Sequence, residues 1–354
     1  MDIATGWVGR MSEKTCSLEG SCGRHEMRGY RVDIHSLSNV KTNVRRTSIW
    51  GKLVVMAIAL SCFAGYACAE DQLRPFELAF TTGGDMAQVV TQVEHKLTAN
   101  GFEVVGSYIP YTEVKFSNGE TVSTDVIGIT NSALKQAAAE TDFGGYAVAQ
   151  RVIITKVNEQ IQVAYTNPIY MANAYRLKSN LANVQAQLTT ALGAQQAFGS
   201  RNGLSASNLQ SYRYKMMMPY FTDQEMLAQY STYQQALDAV NAGLAAHKGG
   251  TSKVYQVAIP GKDQTLFGVA LAGPSNNECS GDAHILKIID VQNIKSTGYL
   301  PYEILVSGGK VYALAAKFRI AVDFPDLSML GSNGFMAIRC APGSIEKALK
   351  DASN

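Results

Sequence analysis

An uncharged apolar run interrupts the polar start of the chain. Residues 53–69, LVVMAIALSCFAGYACA, carry no charge, follow Arg45, Arg46 and Lys52, and end in small residues at Ala67 and Ala69 before Glu70. Basic stretch, apolar stretch and A-x-A pattern, in that order, predict a Sec-type secretory signal cleaved after Ala69. The run is shorter than the roughly 20 residues that a spanning helix needs. Residues 1–43 are polar and without periodicity. Val44 is a candidate start, which makes 44–69 the signal peptide and leaves 1–43 untranslated or disordered. The expectation is a periplasmic or secreted protein that meets a membrane only through the signal segment, where that segment stays uncleaved.

Beyond residue 70 the pattern alternates between period 2 and period 3.6. Residues 75–82 read as a strand. Gly83 and Gly84 turn the chain, Asp85 caps a helix, and Val89, Val90, Val93 and Leu97 form its apolar stripe over 86–99. Asn100-Gly101 ends it. Residues 102–116 and 120–130 alternate as strands around an Asn118-Gly119 turn. A short helix is expected over 132–141, a second hairpin over 148–156 and 160–165, and a helix over 172–192 after Asn167-Pro168. The second half follows the same order. A strand is expected over 211–221, then an Asp223-capped helix carrying Met226, Leu227, Tyr230 and Tyr233. Strands follow at 253–259 and 265–271, a short helix at 284–290, a hairpin at 303–306 and 311–315, a strand at 335–340 and a helix at 344–352.

The best local match sets 144–165 against 297–315, each placing Gly-Tyr before a hairpin. The predicted fold class is α+β: two tandem units of antiparallel sheet with helices packed on one face. The first unit spans 70–192, a Gly/Ser/Asn-rich linker 193–210, and a second, divergent repeat 211–354.

The first unit resembles the domain-of-unknown-function family 302, bacterial α+β domains found alone or in exported proteins. The resemblance rests on the 86–99 helix followed by Gly101-Phe102. It rests also on 127–168, where strand, short helix, hairpin and Asn167-Pro168 occur in the family's order; it covers about 76–192. The second unit keeps the order but has Ala315-Ala316-Lys317 where Asn-Pro is expected. The family has no settled activity, so the resemblance implies a fold and no chemistry.

Charge changes the picture of partners. The 354 residues carry a formal net charge of +2, but the first 69 hold 9 Lys and Arg against 5 Asp and Glu, leaving 22 basic and 24 acidic residues, net −2, over residues 70–354. No basic cluster suits nucleic acid or an anionic lipid surface. Of six cysteines, only Cys279 and Cys340 follow the signal. An isolated pair in an oxidising compartment predicts a disulfide.

Candidate chemistry is sparse. His95, His247 and His284 lack metal-site spacing, so no metal and no cofactor is expected. Met216 and Met218, one face of the predicted 211–221 strand, are the alternative soft-metal pair; core packing is the plainer reading. No G-x-S-x-G elbow or triad pattern occurs, and the chain leans away from catalysis, with an unrecognised active site as one alternative. Abundant tyrosine suits an aromatic-lined groove. Tyr146, Tyr165 and Asn167 are the candidate lining for a small apolar or aromatic ligand, or a partner protein. A structural or assembly role in the cell envelope, through exposed strand edges, is the other alternative.

Overall fold

The computed structural model describes residues 71–274 and 278–354, together with two short paired strands, Thr15–Cys16 (β1) and Cys22–Gly23 (β2). The signal at 44–69 and the candidate start at Val44 lie outside the described residues. Among the described residues no helix is long and apolar enough to cross a membrane.

Alternation builds the first sheet. Phe76–Thr82 (β3) leads to helix Met86–Ala99 (α1), whose Asp85 cap accepts a hydrogen bond from Gln88 N. Glu103–Lys115 (β4) and Thr121–Thr130 (β5) form the long hairpin. Helix Ser132–Glu140 (α2) and a 3₁₀ turn at Gly144–Ala147 lead to Gln150–Val157 (β6) and Gln160–Thr166 (β7).

The single helix expected over 172–192 is two, Pro168–Ala174 (α3) and Ala182–Leu192 (α4). Arg176 and Leu181 adopt positive φ between them. Asn167-Pro168 therefore does more than break the hairpin. The Asn167 side chain accepts from Ile169 N and Tyr170 N, and Pro168 takes the first turn, where no N–H is needed.

The expected linker is ordered structure. Gln196–Phe198 (β8) pairs with β3, Leu73 bridges Leu204, and Ala206–Gln210 (α5) follows. Residues 211–221 do not form a strand. Met217 has a φ of 68°, Met218 N bonds back to Lys215 O, and the hydroxyls of Tyr212 and Tyr214 donate to the carbonyls of Ala321 and Leu327. Side chains, not a ladder, anchor this segment. The strand is Glu225–Gln229 (β9), and the helix after it, Tyr233–Ala245 (α6), is capped by Thr232. Asp223 instead accepts from Tyr220 N and closes a turn.

Thr251–Ala258 (β10), Gln264–Leu271 (β11), helix Asp282–Ile289 (α7), Tyr302–Ser307 (β12) and Lys310–Ala313 (β13) follow the expected order. Helix Ala316–Asp323 (α8) was not anticipated, Phe335–Ile338 is a 3₁₀ turn and not a strand, and Ala341–Ala352 (α9) ends the chain.

Both sheets are antiparallel and run the same route: β4-β5-β6-β7-β3-β8 in the first, β10-β11-β12-β13-β9 in the second. Each carries helices on one face, as the pattern predicts. Val89, Val93 and Leu97 of α1 and Val184 and Leu188 of α4 pack on Ile127, Ile129, Val152 and Ile154. Val240 and Leu244 of α6 and Ile345 and Leu349 of α9 pack on Val269, Ile304 and Val306. Alternation turns the neighbouring residues the other way, and there the sheets meet. Gly145 lies against Leu305 and Gln264, and Gly298 against Phe76 and Ile153. Residues 71–274 and 278–354 belong to one compact body.

Close approach at this junction demands glycine. In the first sheet Gly106, Gly128 and Arg151 occupy one rung; the same rung of the second holds Tyr255, Gly268 and Glu303. The buried Tyr255 ring fills the space beside both inner glycines. A Cβ would stand 2.6 Å from the ring at Gly128 and 2.5 Å at Gly268. Gly268→Ala is expected to lower stability by about 1–3 kcal/mol through overpacking, measured by urea unfolding. Combined with Tyr255→Ala, the loss should fall short of the sum by more than about 0.5 kcal/mol; strict additivity would show that ring and glycine do not compete for space.

Candidate functional site

The largest concentration of chemistry is buried. Glu303 on β12 receives Arg151 Nη1 from β6 at 3.1 Å and Arg319 Nη1 from α8 at 2.5 Å, one guanidinium on each oxygen. Tyr255 adds its hydroxyl to Oε1 at 3.3 Å. Arg151 Nε donates to Gly298 O at 2.8 Å. Arg319 donates to the carbonyls of Tyr299 and Pro301 and to the Tyr175 hydroxyl. Asp323 lies 2.9 Å from Arg319 Nε, off the line of a hydrogen bond, so that contact is ionic only. Burial raises the Asp323 carboxyl, against the pull of Arg319.

The two cations and two anions are all at most 2% exposed. Among the described residues, none of the four lines the two grooves described below. The arrangement joins the two sheets, and it was missed in the sequence. The available signal was charge inside apolar runs: Arg151 before Val152-Ile153-Ile154, Glu303 before Ile304-Leu305, and Arg319 four residues before Asp323 on one helix face.

A second buried group flanks α7. Asp282 Oδ2 accepts from Leu271 N and from the Tyr108 hydroxyl, each at 3.0 Å. Asp290 Oδ1 accepts from Ser296 N at 2.9 Å. Burial pushes both carboxyls up to about 7, against these hydrogen bonds.

The predicted ligand-lining residues do not assemble into a groove. Tyr146 is buried between the sheets, edge-on to Phe221. Tyr165 is on the helix side of the first sheet, its hydroxyl donating to Gly193 O. Asn167 is the cap of α3. The tyrosines are mainly core residues. His95 and His247 are exposed and lie on different helical segments. Cys279 and Cys340 form a disulfide with Cα atoms 5.7 Å apart.

Accessible features lie elsewhere. Met216 and Met217 are 79% and 94% exposed at the tip of the 211–221 segment, while Met218 turns inward. They do not share the face of a strand, because the segment is a turn. Met217 and Met218 border a groove of about 570 Å³, with Pro219, Leu227, Ile345 and Leu349 as its apolar walls and Asp223, Glu225, Lys317 and Glu346 among its charges. Leu227 and Glu225 belong to β9, the last strand of the second sheet. A larger cleft of about 1060 Å³ runs between the β8 region and the loops after α7 and α8. Arg74, Arg201, Asp326, Asn293 and Asn333 line it together with Ile294, Leu327 and the nearly buried Phe198 and Phe324, so its lining mixes polar and apolar groups and holds none of the predicted residues.

Residues 78–194 match the family model described as domain of unknown function DUF302. The first unit carries that domain, as its pattern of elements indicated. A solved chain described as an uncharacterized conserved protein DUF302 from Bacillus stearothermophilus is 18% identical, over 32% of this chain and 94% of that one, with a TM-score of 0.28. No curated protein matches the chain.

Two outcomes follow from the buried charges. Glu303→Gln leaves two guanidiniums without their shared anion and should lower stability by about 3–5 kcal/mol; adding Arg151→Met should recover part of that in the same urea measurement. Asp282 titrates near 7 when folded and near 4 when unfolded, so the folded state holds the extra proton between those values. Its contribution therefore disfavours folding increasingly as pH rises from 4 to 7. Asp282→Asn retains both accepted hydrogen bonds, and its stability relative to wild type should climb through that window by up to about 1.4 kcal/mol per pH unit. A pH-independent difference in urea midpoints between pH 4 and 7 would mean that folding does not raise the Asp282 carboxyl.

Proposed function

We propose that this is an exported, non-enzymatic docking protein of the cell envelope, which binds an extended segment of a partner protein along the open edge of β9. One observation carries the reading. The two sheets run the same route, and in the first the strand at this end, β3, is covered by β8 from the chain itself. In the second, β9 has no sixth strand among the described residues. A strand edge offers unpaired N–H and C=O groups, and extended peptides add to such edges. Two features hold back indiscriminate pairing: β9 has only five residues, and its register against β13 shifts between Val311 and Tyr312. A short segment is accommodated, and β8 itself spans three residues.

Side chains beside the edge suit a partner protein. Met226 on β9 is 52% exposed, and the Met217–Met218 turn borders the groove that begins at Leu227. Unbranched thioether side chains adapt to varied apolar contacts. The shared route, with Gly-Tyr before β6 and before β12, supports reading the second unit as a divergent copy of the first. Export is supported by the 44–69 pattern and by a disulfide suited to an oxidising compartment.

Selection of phage-displayed random peptides on the full chain tests the docking site. Enriched peptides should alternate apolar and polar residues, slow amide exchange across Glu225–Gln229, and bind at least about 10-fold more weakly to the Met217→Lys, Met226→Lys double variant, a loss of about 1.4 kcal/mol. Peptides that bind without protecting β9, or a failure to enrich any, would defeat the proposal.

A further inference from the structure

A 3₁₀ turn, Glu278–Ser280, packs against α9 through the Cys279–Cys340 disulfide, and His284 rises from α7 beside it. Ligand atoms of Cys279, Cys340 and His284 all lie within 4.8 Å of one another. His284 Nδ1 is shielded from solvent and has no hydrogen-bond partner. A polar ring nitrogen rarely stays orphaned without a reason. Its nearest ionic neighbour is the Glu278 carboxylate, 3.7 Å away and otherwise exposed. Two sulfurs and one imidazole nitrogen therefore converge from three elements, and the Glu278 carboxylate lies beside the imidazole.

We propose that this cluster is a redox-gated zinc site. With the disulfide intact, neither sulfur can act as a thiolate ligand. A dithiol reductant passes two electrons and two protons to the Cys279–Cys340 bond and itself becomes a disulfide, leaving two free thiols. Zn²⁺ then displaces both thiol protons. The Cys279 and Cys340 thiolates and the His284 imidazole supply three ligands, and the exposed Glu278 carboxylate beside the imidazole swings in as the fourth of a tetrahedral site, a donor set zinc favours. Cys340 also stands at the N-terminal end of α9, where the helix dipole favours a thiolate. Covalent bond and metal ion join the same two elements, so the tie between the Glu278–Ser280 turn and α9 persists in either redox state. The convergent donors lie here and not at Met216 and Met218, and only the fold brings them together, since Cys340 is 61 residues from Cys279.

The test uses the full chain, reduced with dithiothreitol, freed of it anaerobically, and titrated with Co²⁺ as spectroscopic probe. One equivalent should bind, with near-ultraviolet thiolate charge-transfer bands and the intense visible bands of four-coordinate cobalt, all bleached by Zn²⁺. The oxidised protein should give none of these. His284→Ala should weaken Co²⁺ binding at least about 10-fold, since even residues that only support a ligand typically contribute that much, and Glu278→Ala should weaken it less. Zinc should raise the melting midpoint of the reduced protein in a concentration-dependent way. Circular dichroism of each sample reports whether the fold is retained. The proposal is overturned if the reduced, folded chain shows no thiolate–cobalt bands, if His284→Ala leaves the affinity unchanged, or if the reduced chain unfolds and zinc does not restore it.

Discussion

Glu303 is held in the layer where the two sheets face each other, with a guanidinium from the opposite sheet on one oxygen and a guanidinium from its own unit on the other. In a low-dielectric layer a lone carboxylate is costly, and either arginine alone would be as well. Two cations shared by one anion, with Asp323 beside Arg319, bring the local charge to zero. The Arg319 and Arg151 donors also occupy the carbonyls of Gly298, Tyr299 and Pro301, so the network fixes the turn that leads into β12. Glycines at 128 and 268 keep the backbones clear of the Tyr255 ring, whose hydroxyl joins the same carboxylate. Sheet spacing, ring placement and turn geometry thus all answer to one buried anion.

That constraint also makes the two units non-interchangeable. They follow one strand order, yet the shared rung carries Gly, Gly and Arg in the first and Tyr, Gly and Glu in the second. Two first units pressed together in this way would oppose arginine to arginine and leave the ring's volume empty. Two second units would oppose glutamates and crowd two rings into the space of one. Only the unlike pair satisfies charge and volume together, which accounts for a single body where composition allowed separate domains.

Much of the architecture was legible because helices and hairpins announce themselves locally. Asp85 before an apolar stripe, and the Asn118-Gly119 turn between alternating runs, specify their elements with neighbours only. The failures share a different cause. Residues 211–221 alternate like a strand, but Tyr212 and Tyr214 reach distant carbonyls on the α8 side, and among the described residues no strand pairs with them. The 193–210 segment reads as a linker by composition, whereas pairing with β3 makes part of it a strand. The candidate site was the least legible part. Aromatic abundance pointed to Tyr146 and Tyr165, which the fold uses as core, while the four buried charges lie far apart in sequence and gain meaning only when the sheets meet.

Because the charges at the sheet junction are buried, the proposed docking falls to what the fold leaves at its surface. At the junction between the sheets the charged groups are buried against one another, and the helix faces are covered by α1, α4, α6 and α9. Among the described residues, the asymmetry that remains is at the sheet ends, where β8 pairs with one end strand and no further strand pairs with the other. On the proposed reading of the second unit as a divergent copy, this asymmetry has a physical logic. Within a single unit, losing the covering strand would expose an edge on the only sheet available. In a fused pair, the covered sheet contributes a complete core and a fixed partner surface, so the other sheet can leave β9 open while its remaining strands stay anchored through Glu303. The buried anion would then be what makes an exposed edge tolerable.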